Sequence, residues 1–451
     1  MQQLKPLTLR RNFSWTFTGN LVYAASQWGM LVVLAKLGSP EMVGKFTLGL
    51  AVTAPVFMLT NLQLRSIQAT DARKEYLFSD YLSLRLIGTA LAFLIIFVIT
   101  ISSGYSWDIL LVVVALAFAK AFESISDIFY GLLQHHERMD RISLSLMLRG
   151  TLSLLMLGAG VYLTGSVFVG SVGLAIAWAF VLVSYDIPSG IFLLNAPPAD
   201  EIETERQGEE DKLSNSPQQL PNTDENPISQ PKNKLLRRWH LKTLTKLLWL
   251  SVPLGFVMML ISLNINIPRY FIEHYLGAHQ LGIFSALSYL IVAGQMVISA
   301  LAQSVSPRLA KYYAAGNSKS FRTLLLKLVG IALGLGSAGV VVAVVAGRPI
   351  LTLLYDPEYA QQVDVFVLLM VAAGINYVSY FLGYGITAAR YFRVQMPLFM
   401  VVTASSALIC LWLIPTQGLR GAAISLILGS VIQIVSCLAV LIHAINKITK
   451  H

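Results

Sequence analysis

Residues 107–141, WDILLVVVALAFAKAFESISDIFYGLLQHHERMDR, combine an apolar run of membrane-spanning length with three charged side chains well inside it. The run is mainly apolar from 107 to 133 and ends in a highly charged turn. About 20 such residues in a helix cross the roughly 30 Å of hydrocarbon in a bilayer. The stretch therefore predicts a transmembrane helix, in which Lys120, Glu123 and Asp127 need an explanation.

The composition places the whole chain in the same class. Its 451 residues are 55% hydrophobic and only 12% charged, whereas a soluble domain carries about 25% charged residues. We therefore predict an all-α polytopic membrane protein. The two cysteines, Cys410 and Cys437, lie inside apolar runs and predict neither a disulfide nor a metal site. The basic segment 1–15 leads into the first apolar run without a small-residue cleavage site, which favours a retained first span.

The apolar runs predict twelve transmembrane helices. Their ranges are 13–35, 43–64, 82–101, 107–133, 142–163, 166–194, 243–268, 280–305, 321–346, 361–388, 396–414 and 419–444. With a cytoplasmic N-terminus, 27 of the 33 Lys and Arg side chains lie toward the inner connections. Lys120 lies within a span, and the outer connections hold only Lys36, Lys45, Arg269, Arg348 and Arg420. The positive-inside rule thus predicts that both termini are cytoplasmic.

One long connection, residues 195–242, separates two groups of six spans, 1–194 and 243–451. It contains six prolines and nine of the 23 acidic residues and has few large apolar side chains, so we predict a disordered cytoplasmic linker. The linker runs into a basic segment around Trp239, formed by Lys234, Arg237, Arg238, Lys242 and Lys246. This segment is either an interfacial anchor for the seventh span or a surface that attracts anionic membrane lipids.

The two halves begin with a similar pattern. LGSPEMVGKF, residues 37–46, follows the first span, and LGAHQLGIF, residues 276–284, follows the seventh. Six spans in each half give both halves the same orientation and predict an axis of pseudo-symmetry along the membrane normal. Two parallel six-helix bundles around a central cavity is an architecture of transporters.

The charged residues of the fourth span lie on one helical face together with Tyr130. Each charge near the bilayer centre costs about 2.5–3.5 kcal/mol, so this face must meet protein or water. Hairpin geometry places Arg149 and Asp186 at a similar depth to Asp127, and we expect a polar layer there. The layer either lines a cavity or consists of ion pairs that hold the helices together, although buried pairs contribute little stability.

Further polar residues lie in other spans and are weaker cavity candidates. They are Gln27, Asn264, Asn266, Arg269, Asn376, Tyr377, Tyr380 and Tyr384. The three tyrosines share a helical face and suit sugar rings, although ordinary packing explains them as well. Pro253 and Pro268 are expected to break the seventh helix.

Motifs for catalysis or for metal and cofactor binding are absent from the sequence. It has no Walker-type phosphate loop, no nucleophile elbow and no histidine pair at ligand spacing, so we predict neither an enzyme nor a bound cofactor or metal. The net charge of +10 is explained by membrane topology and does not predict nucleic-acid binding.

Three motifs carry a family resemblance: the pattern at 37–46 with its repeat, NLQLR at 61–65 and SVSPRLA at 304–310. With them, nearly the whole chain resembles the polysaccharide exporters, or Wzx-type flippases, of the multidrug/oligosaccharidyl-lipid/polysaccharide (MOP) superfamily. The 195–242 linker is longer than that group would suggest. The resemblance implies two six-helix lobes in a V shape around a central cavity, which work by alternating access.

The resemblance also implies a cargo and a location. The cargo would be a polyprenyl-pyrophosphate-linked oligosaccharide that crosses the bacterial inner membrane for surface polysaccharide such as lipopolysaccharide O-antigen, with polymerase machinery as a partner. Lys120 and Arg149 would then meet the pyrophosphate, and Tyr or Asn side chains the sugars. Glu123 is a candidate ion-coupling acid.

Three alternatives remain open. A cation-coupled multidrug exporter of the same superfamily should carry acidic residues in its first or seventh span, and neither predicted span has one. A major facilitator porter should have a glycine-containing basic loop after the second span, whereas residues 65–80 contain no glycine. A membrane polymerase or glycosyltransferase would need a large external loop or a soluble catalytic segment.

Overall fold

The computed structural model describes residues 9–71, 75–195, 241–389 and 391–449. Helices and turns make up these ranges, and no strand occurs in them. Almost all of the predicted linker, including Lys234, Arg237, Arg238 and Trp239, lies outside the described residues. We call residues 9–195 the first half and residues 241–449 the second half.

The first half contains eight helical segments. They are α1 (Leu9–Leu37), α2 (Pro40–Thr60), α3 (Leu64–Thr70), α4 (Phe78–Ser102), α5 (Trp107–His135), α6 (Met139–Thr164), α7 (Val167–Val181) and α8 (Ile187–Leu194). A π-helical turn, Leu182–Asp186, connects α7 to α8, so that the three segments form one continuous helix.

The second half contains six helical segments. They are α9 (Leu241–Tyr289), α10 (Ile291–Ala314), α11 (Ser318–Leu354), α12 (Pro357–Ala360), α13 (Val363–Ala388) and α14 (Phe392–Thr449). The backbone leaves the helical conformation within α9 at Gly277, with φ of 82°, and within α14 at Gly418, with φ of 60°. Glycine adopts positive φ without the steric cost that a side chain adds.

In the part of the chain that the structure describes, nine helices are long and apolar enough to cross a membrane. Two of these, α9 and α14, have 49 and 58 residues and would extend about 70–90 Å, more than twice the bilayer core. The chain folds back at Gly418. Leu413 and Gly421, on either side of this break, lie so close together that a Cβ on Gly421 would be 2.2 Å from the Leu413 carbonyl oxygen. With α1 counted as a crossing, α14 divided at Gly418, and the part of α9 after Gly277 counted together with α10 as one crossing, the architecture is consistent with the twelve predicted spans.

Two details of the seventh span differ from the prediction. The helix continues through Pro253 and Pro268 and breaks at Gly277. Positive φ interrupts the helical path, and of these three residues only glycine adopts it without steric cost. As a result the helix extends about two turns beyond residue 268. Arg269, which was predicted in an outer connection, therefore lies inside the helix.

The side of the bundle where α1 begins is called the terminal face, and the side where α1 ends is called the opposite face. At the opposite face, α2 and α9 cross at glycines. A Cβ on Gly44 would lie 1.8 Å from the Ala278 carbonyl oxygen, and a Cβ on Gly282 would lie 1.7 Å from the Pro40 carbonyl oxygen. Gly44 and Gly282 occupy the same place in the two repeated patterns, as do Pro40 and Ala278. The contact is therefore reciprocal, as expected for elements related by a two-fold axis.

Buried apolar side chains join the two halves. One core cluster contains residues of both, among them Met30, Leu116 and Trp178 of the first half and Leu281 and Tyr355 of the second. A separate cluster lies wholly within the second half. Cys410 and Cys437 are buried and unbridged, in agreement with their interpretation as apolar core residues.

Candidate functional site

Asp186 and Arg149 form an ion pair that protein encloses completely. Asp186 lies at the end of the π turn and is 0% exposed, and Arg149 of α6 is 1% exposed. The guanidinium Nη2 lies 3.2 Å from Asp186 Oδ2, and the Ser145 hydroxyl donates to Asp186 Oδ1 at 2.6 Å. Both residues were predicted in one polar layer, and the structure places them together but away from any opening.

Aromatic rings enclose the Arg149 guanidinium on both sides. Its Cζ lies 5.4 Å from the ring centroid of Tyr130 and 5.4 Å from that of Trp178. Because Ser145 donates its proton to Asp186, the Tyr130 hydroxyl donates to Ser145 at 2.7 Å. Cation–π contacts and a closed hydrogen-bond chain hold this group of side chains in one arrangement.

Lys120 and Glu123 form a second ion pair, which remains accessible. Lys120 Nζ lies 2.7 Å from Glu123 Oε2, and the two side chains are 24% and 29% exposed. Tyr23 of α1 donates to Glu123 Oε1 at 3.2 Å. Lys120 and Glu123 lie near the middle of α5 and keep part of their surface exposed, in contrast to the enclosed pair of Arg149 and Asp186.

Asp127 binds two arginines instead of Arg149. Arg65 Nη1 lies 3.3 Å from one carboxylate oxygen, and Arg85 Nη2 lies 3.1 Å from the other. Arg85 is 0% exposed and also donates to Ser124, which donates to Asn61 at 2.6 Å. Arg65, Arg85 and Asp127 together carry one excess positive charge near the terminal face.

In the second half, the polar residues of α9 bind one another and α14. Asn264 accepts from Ser406 at 2.8 Å, and the Asn266 amide donates to the Ser262 carbonyl at 2.8 Å. Arg269 Nη1 donates to Asn266 Oδ1 at 2.8 Å. Ser262, Asn266 and Arg269 therefore form a polar strip along one side of α9, whereas Asn264 lies on another side and contacts α14.

The tyrosines of α13 pack against α10. Tyr377 donates to the Ile291 carbonyl at 3.1 Å, and Tyr380 donates to Ser299 at 3.4 Å. The rings of Tyr380 and Tyr384 lie 5.2 Å apart. These two tyrosines, like Asn376 and Gln27, are half-buried, whereas Tyr377 is buried.

Contacts between α1 and the second half lie near the opposite face. The Trp28 indole donates to the Tyr355 hydroxyl at 3.3 Å, and Tyr355 donates to the Ala286 carbonyl at 3.0 Å. Lys36 lies 3.5 Å from Asp356. The start of α1 instead packs on its own half: a Cβ on Gly19 would lie 2.7 Å from Ser143 of α6. The opposite face is therefore closed between the halves along α1.

A recess of about 480 Å³ lies beside α1 at the terminal face. Its described lining residues are Arg10, Arg11, Ser14, Trp15 and Thr18. Groups of three or more His, Cys, Asp or Glu side chains able to hold a metal do not occur among the described residues.

Two family models match this chain. One, described as "Polysaccharide biosynthesis protein", matches residues 9–192, and the other, described as "MatE", matches residues 253–416. The chain is also 27% identical over 432 residues to "Capsular polysaccharide biosynthesis protein CapF" of Staphylococcus aureus. That match covers 94% of this chain and 97% of the relative.

The chain is therefore similar to polysaccharide biosynthesis proteins and, over most of its second half, to MatE proteins.

Solved structures of MOP superfamily transporters share the fold of this chain. An inward-facing MATE family transporter of the MOP superfamily has a TM-score of 0.62 at 14% identity, with 96% of this chain and 98% of that chain covered. The lipid II flippase MurJ, in an inward closed conformation, has a TM-score of 0.63 at 13% identity, with 96% and 90% covered. A Pyrococcus furiosus MOP transporter has a TM-score of 0.57 at 16% identity, with 96% and 94% covered.

Sequence reasoning missed two cations of the candidate site. Arg65 and Arg85 were assigned to the inner connections, but both bind Asp127. The sequence did indicate that Arg85 is paired, because it is the fourth residue of the apolar run 82–101 and a charge there needs a buried partner. The sequence did not show which helix would supply that partner.

Proposed function

We propose that this protein flips a polyprenyl-pyrophosphate-linked oligosaccharide across the bacterial plasma membrane by alternating access, for surface polysaccharide biosynthesis. The observation that carries the proposal is the partly exposed Lys120–Glu123 pair, which lies near the middle of the membrane-spanning helix α5. Charged groups at such depth require water or a polar ligand, because exposure to lipid would be costly. A polar headgroup can pass such a surface while its lipid tail stays in the bilayer.

The relatives support the same cargo class. The Staphylococcus aureus relative is named for capsular polysaccharide biosynthesis, and a structural neighbour is a lipid II flippase. Lipid-linked glycans are amphipathic, which suits a protein that must offer a polar path beside the bilayer. We further propose that the chain acts without catalysis and alongside a polymerase that consumes the flipped repeat unit.

The contacts between the halves suggest which side is open. The hydrogen bonds of Trp28 and Tyr355 and the glycine crossing of Gly44 and Gly282 close the opposite face. We propose that the terminal face is cytoplasmic, with both termini inside, and that this conformation receives cargo from the cytoplasmic leaflet. Residues 1–194 and 243–451 would move as two lobes.

Glu123 is the proposed ion-coupling acid. It accepts hydrogen bonds from Tyr23 of α1 and from Lys120 of its own helix. Protonation of Glu123 would remove the charge that holds Lys120 and would loosen the contact between α1 and α5. A proton could thereby change the packing of α1, which lies at the contact between the halves.

A cation-coupled multidrug exporter is the second candidate. The MatE match at 253–416 and the MATE transporter neighbours favour it. Against it, α1 contains no acidic residue, and the only one in α9 is Glu273, one turn before the break at Gly277. Glu123, a partly exposed acid of the predicted polar layer, lies in α5 and has a lysine partner, which makes it an unfavourable site for a cationic drug.

Reconstitution distinguishes the two candidates. Purified protein in vesicles should make a fluorescent lipid-linked oligosaccharide of the inner leaflet accessible to a membrane-impermeant quencher, and should not transport a cationic dye. In cells, deletion should trap lipid-linked repeat units on the cytoplasmic leaflet. Dye transport without lipid movement would reverse the assignment.

A further inference from the structure

Arg269 is a half-buried cation of α9 whose guanidinium has N–H donors without a hydrogen-bond acceptor in the described part of the chain. It lies in α9, eight residues and about 12 Å of helix before Gly277. Protein surrounds it, but the side chain remains partly accessible. Of the five N–H donors of its guanidinium, one binds Asn266 at 2.8 Å.

The cations of the predicted polar layer have carboxylate partners. Lys120 lies 2.7 Å from Glu123, and Arg149 lies 3.2 Å from Asp186. Around Arg269, by contrast, no carboxylate of the described residues lies within 4.0 Å. Its charged and titratable neighbours are the hydroxyl groups of Tyr270 and Tyr289. The guanidinium therefore has no carboxylate counterion among the described residues.

The pseudo-symmetry shows that the fold does not need a cation at this position. Aligning Leu37-Gly38 with Leu276-Gly277 pairs Arg269 with Met30 and Asn266 with Gln27. Met30 is 0% exposed, so an apolar side chain fills the equivalent place in the first half. Helix packing alone does not account for the arginine.

We propose that Arg269 binds an oxyanion of the cargo, which is the lipid-linked oligosaccharide of the proposed function. A guanidinium presents a planar fork of donors that matches phosphate or carboxylate oxygens. Lys120 and Arg149, the residues first expected to meet the pyrophosphate, already have carboxylate partners. The oxyanion belongs either to the carrier pyrophosphate or to an acidic sugar of the glycan.

Binding measurements on the full-length protein in nanodiscs test the proposal. The probes are polyprenyl pyrophosphate, polyprenyl monophosphate and uncharged polyprenol, with glucuronate and glucose as soluble competitors. The variants are Arg269→Met, which introduces the residue of the symmetric position, and Arg269→Lys. Arg348→Met removes an exposed cation of α11 and is the matched control.

We expect Arg269→Met to weaken binding of the phosphorylated lipids at least tenfold, Arg269→Lys to weaken it less, and Arg348→Met and polyprenol binding to stay unchanged. If only competition by glucuronate is lost, the oxyanion belongs to the sugar, and the proposal is equally supported. The proposal is overturned if Arg269→Met changes neither the binding of the phosphorylated lipids nor the competition by glucuronate, or if Arg348→Met causes an equal loss. If binding depends on the charge of Arg269 but the protein does not flip the lipid, only the proposed function is refuted. If the protein flips the lipid and flipping does not depend on Arg269, only this inference is refuted.

Discussion

Gly282 approaches Pro40 so closely that a single Cβ on the glycine would lie 1.7 Å from the Pro40 carbonyl oxygen. The reciprocal approach of Gly44 to Ala278 repeats this geometry across the two halves. Neither contact leaves space for a methyl group, so α2 and α9 can touch at the opposite face only while both positions remain glycine.

Gly282→Ala should therefore open the opposite face. The methyl group meets backbone rather than a movable side chain, and overpacking of this kind costs about 1–3 kcal/mol. The closed population should fall by about five- to 100-fold. Spin-label distances across the opposite face measure the change. Gly330→Ala is the control, because nothing lies within 4 Å of a Cβ at that position; an equal shift in both variants would refute the role of the crossing.

Trp28→Phe should weaken the same closure to a smaller extent. The substitution keeps the aromatic ring but removes the indole N–H that donates to Tyr355. A hydrogen bond of this kind contributes about 0.5–1.5 kcal/mol, so the distance distribution should shift about two- to tenfold toward the open form. Trp249→Phe, at a position that is 74% exposed, should leave the distribution unchanged.

Asp186→Asn should destabilise the first half strongly. Arg149 would keep its charge at 1% exposure without a carboxylate, and breaking a buried pair in this way costs about 3–5 kcal/mol. Thermal unfolding in detergent measures the loss. Replacing both partners, Arg149→Met with Asp186→Leu, should recover most of the stability, because no uncompensated charge remains. A double variant as unstable as the single one would contradict this account.

Glu123→Gln should separate transport from its pH dependence. Glutamine can still accept from Tyr23 and Lys120, so the fold should persist, but it cannot take up a proton. Transport in vesicles should slow and lose its response to pH. Asp140→Asn, which removes a carboxylate paired with Arg138 outside the spans, is the control and should keep the response. An unchanged pH profile in Glu123→Gln would exclude Glu123 as the coupling acid.

The helices could be predicted from apolar length because membrane crossing imposes a minimum run. The span predicted at 107–133 is found at Trp107–His135. The ends were less predictable, since α9 continues through Pro268 to Gly277. Proline restricts the preceding turn, but a helix between neighbours can accommodate it, whereas positive φ ends the helical path.

The site could be predicted only in part. Helical periodicity correctly placed Lys120 beside Glu123, because residues three apart share a face. Hairpin geometry predicted that Asp127 and Arg149 lie at a similar depth, but it did not predict the direction of their side chains. Asp127 pairs with Arg85, and Arg149 pairs with Asp186. The π turn that carries Asp186 adds one residue to a helical turn, and no sequence pattern marked it.

The fold-back at Gly418 has a practical consequence for topology mapping. Leu413 and Gly421 are in contact across it, so this turn has no loop able to accept an epitope tag or a protease site. Reporter insertions there would disrupt the helices they are meant to locate. The segment 103–106, which has exposed residues at the end of α4, is the better site for probing that side of the membrane.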